Sequence, residues 1–257
     1  MEASMEILDC FCGIGPWATK DPILPSRPDE ILELMDHAGV ARALVYHNAP
    51  KFSGQPADVN RQIAELCRSE TRFIPAFVIG LDTYHESQTL GDFMQGMKAS
   101  GAKALWLKLP FTPYRLVRSY QSWLIGDWMR TCSEKRIPVF FHAEDENPDV
   151  INALCAEYPD LRLILTGVMY NADAFLYPLL RRHRQLRVCT GHVYIPSGNP
   201  GRFLQHFPVE RLLFGSGLPE FSPGGMIAHV QYADIPEEDK ARILGGNIME
   251  LMAEVRL

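Results

Sequence analysis

The chain contains no apolar run of the roughly 20 residues needed to cross a bilayer, which excludes a helical membrane span as a sequence-level expectation. The opening Met1-Glu2-Ala3-Ser4-Met5-Glu6 is acidic and has neither the basic start nor the apolar centre of a secretory signal. A cytoplasmic protein with no membrane contact is the expectation. Excess positive charge is also missing: 25 Lys and Arg face 31 Asp and Glu, a formal net charge of -6. That argues against a nucleic-acid backbone as the main partner, because phosphate binding relies on a surplus of cations. The densest basic stretch, Arg181-Arg182-His183-Arg184-Gln185-Leu186-Arg187, reads as a solvated helix end, where cations suit the helix dipole. No disulfide framework is visible. Cys67, Cys132, Cys155 and Cys189 are scattered singly through apolar-periodic segments and read as reduced core residues. No Gly-x-Gly-x-x-Gly follows the first strand, so a dinucleotide-binding open sheet is disfavoured. Internal repeats, low-complexity tracts and a domain linker are absent as well.

The chain does have a 47% hydrophobic content, enough for a sizeable core, and an alternation of short β-rich runs with amphipathic stretches. Strands are expected over 6–12, 41–47, 72–79, 103–109, 137–142, 161–166, 186–190 and 211–216. Helices are expected over 28–38, 58–69, 89–100, about 118–135, 148–157, 173–183, 200–206 and 236–251. Gly245-Gly246-Asn247 should break the last of these, with Asn247 capping a closing turn. Strands such as Pro138-Val139-Phe140-Phe141 are apolar on both faces, as in a parallel sheet covered by helices. Eight such units predict one (β/α)8 barrel domain spanning 1–257.

Reactive groups of such a barrel sit where its strands end. At those ends the sequence resembles the amidohydrolase-2 branch of the amidohydrolase superfamily, nearly along its whole length. Ile7-Leu8-Asp9-Cys10-Phe11-Cys12-Gly13-Ile14-Gly15 resembles the opening I-I-D-x-H-x-H-x-G, and Pro138-Val139-Phe140-Phe141-His142 resembles P-V-x-x-H. Tyr158-Pro159-Asp160-Leu161 and Ile164-Leu165-Thr166-Gly167 resemble F-P-D-L and I-L-x-H. Leu213-Phe214-Gly215-Ser216-Gly217-Leu218-Pro219 resembles L-F-G-S-D-x-P, and Ile243-Leu244-Gly245-Gly246-Asn247 resembles I-L-x-x-N. The resemblance implies a metal-dependent hydrolase or decarboxylase ancestry.

The departures fall on the residues that would hold the metal. On the family pattern, Phe11 and Gly13 replace the two strand-one histidines, Gly167 the strand-six histidine, and Gly217 the strand-eight aspartate. Only His142 remains. A catalytic zinc needs about three protein ligands, so the sequence predicts no metal cofactor. A zinc alternative exists: if strand one slid by one residue, Cys10 and Cys12 could join His142. Asp9 argues against that slip, because in its register alternation turns both cysteines outward.

His142 and Lys108 are the candidate catalytic residues. His142 reads either as a general acid or base, or as a satisfied structural histidine. Lys108 could hold a carboxylate or act as a base or Schiff-base nucleophile. It could equally snorkel or pair with Glu144 or Asp145. The candidate ligand-contacting residues are Phe11, Tyr46, His47, Trp106, Glu144, His192 and Glu220, with Tyr194 beside His192. Glu220 could stand in for the missing strand-eight carboxylate or be a solvated loop residue. The expected partner is a small carboxylate, lactone or amide, either processed or merely bound. A non-catalytic barrel that stabilises a partner remains open. Trp123, Trp128 and Phe111, read as exposed, could serve a homo-oligomer contact or a lid.

Overall fold

A computed structural model describes residues 6–16, 24–48, 56–79, 89–107, 122–143, 147–169, 171–191 and 199–257. Its strands are β1 (Leu8–Ile14), β2 (Arg42–His47), β3 (Phe73–Pro75), β4 (Phe77–Ile79), β5 (Leu105–Leu107), β6 (Val139–His142), β7 (Leu163–Thr166), β8 (Arg187–Cys189) and β9 (Leu212–Leu213). Every paired neighbour is parallel and follows chain order, β1-β2-β3 and β4 through β9. β3 and β4 are halves of one strand interrupted at Ala76. Ala76 N donates to Val45 O at 2.9 Å and Phe77 N donates to Ala104 O at 3.1 Å, which carries the sheet across the break. The first and last strands meet through Cys10 N to Phe214 O (3.2 Å), Gly217 N to Phe11 O (2.9 Å) and Gly13 N to Leu218 O (2.8 Å). The fold is a (β/α)8 barrel.

Helices alternate with the strands: α1 (Pro28–Ala38), α2 (Pro56–Ser69), α3 (Leu90–Ser100), α4 (Ser122–Glu134), α5 (Pro148–Glu157), α6 (Asp173–Arg182) and the short α7 (Pro200–Leu204). Their ends follow local chemistry. Pro28 opens α1 where its missing N–H costs nothing, while the Glu30 carboxylate accepts from the Ser26 and Arg27 amides. Gly39 ends α1 in the left-handed conformation that suits glycine. Thr89 and Asp92 cap α3 reciprocally.

Two apolar layers result. Outward strand residues such as Val45, Leu105, Phe141 and Leu165 join the inner faces of the helices. Inward residues, including Leu44, Tyr46, Trp106, Phe140 and Ile164, fill the barrel. The interior layer also takes Ile248, Leu251 and Met252 of α10 (Asn247–Ala253), so this last helix plugs the end of the barrel where strands begin.

The structure corrects the sequence reading in several places. Strand eight is short, and residues 214–218 continue as irregular chain bonded to β1, with Gly217 at a positive φ. A helix the sequence reading missed, α8 (Gly224–Gln231), follows it. The expected final helix is α9 (Glu237–Ala241), a π-helical turn over Arg242–Gly246, and α10. Gly245 bends this segment where a Cβ would lie 3.0 Å from Glu6 O and 3.2 Å from Leu8 N, so the close approach requires glycine. Asn247 does not cap: its Nδ2 donates to Val209 O and Leu212 O, anchoring the chain before and within β9. Trp123 is exposed, but Trp128 is buried, edge-on against Phe93 at 4.8 Å; Phe111 lies outside the described residues.

The largest correction is in β1. Asp9 pairs with Ala43 and Cys12 with Val45, so Cys10 and Phe11 together face the single residue Leu44. This bulge brings Cys10 into the barrel interior, with its Sγ 3.8 Å from Cys189 Sγ, while Cys12 stays in the outer layer. The expectation that both cysteines face outward fails for Cys10, because simple alternation does not survive an inserted residue.

Asp9 itself is buried. Its carboxylate accepts from Phe11 N (2.9 Å), Ser216 N (3.0 Å) and the Ser216 hydroxyl, which ties β1 to the chain after β9. Burial nevertheless raises its pKa from 3.8 to about 6, with the three hydrogen bonds pulling the other way. The folded state thus holds this proton more tightly than the unfolded chain does. Its contribution to stability is complete below about pH 4 and is lost as pH rises through about 6. The Asp9→Asn variant lacks this titration. Urea unfolding of both proteins from pH 4 to pH 7 should show their stability difference shifting toward the variant by on the order of 3 kcal/mol. A difference that stays constant with pH refutes the assignment.

Candidate functional site

The C-terminal ends of the strands bring Phe11, Tyr46, Trp106 and His142 together as one aromatic stack. Trp106 lies on Phe140 with centroids 4.8 Å apart and planes at 12°. Tyr46 sits 4.2 Å and Phe11 5.0 Å from Trp106, and His142 meets Phe11 edge-on at 6.4 Å. These rings stand on alternate, inward positions of their strands, which is why strands distant in sequence deliver them to one layer. Trp106 and Tyr46 are fully buried, whereas Phe11 and the half-buried His142 retain exposure. His142 is the most exposed of these four rings, Phe11 is nearly buried, and Trp106 and Tyr46 have the least exposure. Burial, foremost, pushes the Tyr46 phenol well above its ordinary range.

His142 Nδ1 lies 3.4 Å from Thr166 Oγ1, at the facing end of the neighbouring strand. His47 follows Tyr46 directly and so projects from the other side of β2. Its ring lies against Gly15, and burial holds its imidazole below the usual range. Glu220 is exposed, just past the turn where its amide donates to Gly217 O, and its charge acts on the Tyr46 hydroxyl. Lys108, Glu144, Asp145, His192 and Tyr194 lie outside the described residues.

At Gly13, Gly167 and Gly217, the three glycines singled out in the sequence, a neighbouring side chain lies close to where a Cβ would stand. A Cβ on Gly13 would lie 2.1 Å from Asn48 Oδ1. One on Gly167 would lie 2.0 Å from His142 Cε1, and one on Gly217 would lie 3.2 Å from Phe221 Cδ2 and 3.7 Å from Phe11 Cε1. Asn48 is held by donation from Nδ2 to Gly15 O (3.1 Å), while its buried Oδ1 has no partner. Asn48, Thr166 and Phe221 were not singled out from sequence. The one signal available was that an inward glycine at a barrel mouth must have something beside it, and nothing local says what.

Among the described residues, no three His, Cys, Asp or Glu side chains gather as a metal ion requires. Cys10 and Cys12 lie in different layers of the wall, so they cannot present two thiolates to one ion beside His142.

The fold and this mouth define a (β/α)8 barrel of the kind in which strand ends carry the chemistry. The amidohydrolase family profile matches residues 55–252, and the chain belongs to that family. Similar solved structures include an uncharacterised TIM-barrel protein from Bordetella bronchiseptica. It is 18% identical, covers 88% of this chain and 83% of its own, and has a TM-score of 0.66. The 5-carboxyvanillate decarboxylase of Sphingomonas paucimobilis is 14% identical over 97% of this chain and 99% of its own, with a TM-score of 0.69. A dihydroxybenzoic acid decarboxylase from Polaromonas sp. JS666, solved with manganese and the inhibitor 2-nitroresorcinol, is 14% identical over 96% and 97%, with a TM-score of 0.68. At these identities the likeness concerns the fold. No curated protein matches the chain in sequence.

Gly167 also has a positive φ of 61°. The Gly167→Ala substitution therefore meets both backbone strain and the His142 ring, and should cost at least about 2 kcal/mol in thermal or urea unfolding. Gly191, also at positive φ but with nothing within 4 Å of its Cβ position, meets only the strain. Gly191→Ala should cost clearly less, and equal losses would show that His142 does not fill the Gly167 space.

Proposed function

We propose that the protein binds a small organic carboxylate, lactone or amide at the mouth of its barrel, in a site where packed side chains have taken the place of the family's metal. The observation that carries this reading is the set of back-filled glycines, above all the His142 ring lying where a side chain on Gly167 would stand. Phe11, Gly13, Gly167 and Gly217 offer no donor atoms, and His142 alone cannot hold a divalent ion. The described residues do not fit the metal, and no step here runs through one. A Phe11 surface beside a single imidazole suits an organic ligand better than an ion.

His142 is the group able to move a proton at this mouth. In a hydrolysis it would take a proton from the attacking water as the carbon–oxygen bond forms, then return it to the departing oxygen or nitrogen. Lys108, which follows Leu107 at the end of β5, is the cation proposed to receive the ligand's carboxylate. The non-catalytic form of this reading keeps the same contacts and omits the proton transfer.

Protein purified without chelators should carry no stoichiometric zinc or manganese by elemental analysis. A thermal-shift screen of small carboxylates, lactones and amides should give stabilising ligands whose effect falls roughly tenfold in affinity in His142→Ala. Stoichiometric metal, or ligand binding indifferent to His142→Ala, defeats the proposal. Turnover of a ligand found this way, absent in His142→Ala, separates the catalytic form from the binding form.

A further inference from the structure

The other end of the barrel carries a second feature that the mouth does not use. A cleft of about 670 Å³ opens beside the start of β8 and the 3-10 turn Val209–Arg211 that precedes β9. Four cations line it, Arg182, Arg184, Arg187 and Arg211, against two carboxylates, Asp160 and Glu210. This local surplus of two positive charges sits in a chain whose formal net charge is -6.

The arginines are not equivalent. Arg211 is buried, with its guanidinium committed to the carbonyls of Leu180, His183 and Leu186. Arg187 donates from Nη1 to Gln185 O (2.8 Å) and Oε1 (3.3 Å), but its Nε is buried without a partner. Arg182 and Arg184 are exposed and form no ion pair among the described residues. His183 between them gives its Nε2 to Asn152 Oδ1, and burial, then Arg182 and Arg211, hold its imidazole below the ordinary range. That Nε has almost no accessible surface, and Glu210, Glu250 and Glu254 also act on Arg187, so Arg182 and Arg184 are the cations of the cleft open to an anion from solvent.

We propose that this cleft binds a phosphate-bearing small molecule, with Arg182 and Arg184 as donors to the phosphate and the charge of Arg187 behind them. Arginines outnumber carboxylates in the lining of the cleft, and guanidinium groups present paired donors suited to phosphate oxygens. The cleft is larger than inorganic phosphate alone, which leaves room for an organic remainder. Its position at the strand starts separates it from the strand-end mouth, so a ligand here acts on stability or assembly and not on the reacting groups.

The test is a thermal-shift titration of the full-length protein with inorganic phosphate and with glycerol 3-phosphate, against sodium chloride at matched ionic strength. Both phosphates should raise the melting temperature saturably in the millimolar range, and chloride should not. The Arg182→Gln/Arg184→Gln variant, altered only at exposed positions, should bind both phosphates at least roughly tenfold more weakly. Arg187→Gln, which removes the charge behind the two exposed donors, should weaken them as well. If it fails to fold, the exposed double variant still decides. A chloride response equal to that of phosphate, or an unchanged response in the double variant, overturns the proposal.

Discussion

The barrel depends on how its first strand is joined to its last, and one buried carboxylate makes that join. β9 holds only two residues in regular pairing, and the three backbone hydrogen bonds between β1 and residues 214–218 are reinforced by Asp9. Asp9 gathers the amides of Phe11 and Ser216 and the Ser216 hydroxyl, and Ser216 Oγ in turn accepts from Leu218 N at 3.0 Å. Burying a carboxylate is expensive, and it is tolerated where several donors converge on it. The same grip holds the β1 bulge. With Asp9 facing Ser216, Cys10 and Phe11 share the space opposite Leu44, and Phe11 is delivered to the mouth. The identity of the mouth therefore follows from the closure.

Much of the barrel was legible because its signals are local. Pro138-Val139-Phe140-Phe141 and Leu163-Ile164-Leu165 are apolar on both faces, and β6 and β7 fall there. Pro28 and Gly39 bracket α1 by the backbone rules for those residues. What escaped was set by contacts distant in sequence or by a broken period. A bulge leaves no mark in an alternating pattern, so Cys10 was put on the wrong side of the wall. α8 opens with Gly224-Gly225, poor helix formers, and is stabilised by burying Met226, Ile227 and Val230 against the rest of the fold. Asn247 looks like a cap in sequence, yet its partners Val209 and Leu212 lie more than thirty positions away.

The site divides along the same line. That Phe11, Gly13, Gly167 and Gly217 stand near strand ends could be read directly. Which side chains moved into the space could not, because Asn48 reaches Gly13 and His142 reaches Gly167 from adjacent strands. The physical logic is that of a well-packed interior. Removing a side chain leaves a void that costs stability, so a neighbour that fills it is favoured. The family match covers residues 55–252; it begins past the strand that carries Phe11 and Gly13 and includes His142, Gly167 and Gly217. A barrel wall can keep its family pattern while its mouth is rebuilt, since the wall answers to packing and the mouth to ligands.

The two ends of the barrel then carry opposite kinds of chemistry. At the strand ends the described residues form an aromatic stack, and His142 stands at its edge. At the strand starts, Arg162, Arg187 and Arg211 approach the barrel floor, and their neutralisation differs. Arg162 is answered by Glu254, Arg211 by three carbonyls, and Arg187 only in part. Burial lowers the pKa of both Arg187 and Arg211 to about 10, which measures how little solvent is left to stabilise their charge. Those guanidinium groups still remain cations at neutral pH. Their charge is thus a permanent attribute of that end, and any anion that reaches the cleft finds a field held in place by the carbonyls of α6 and of the loop that follows it.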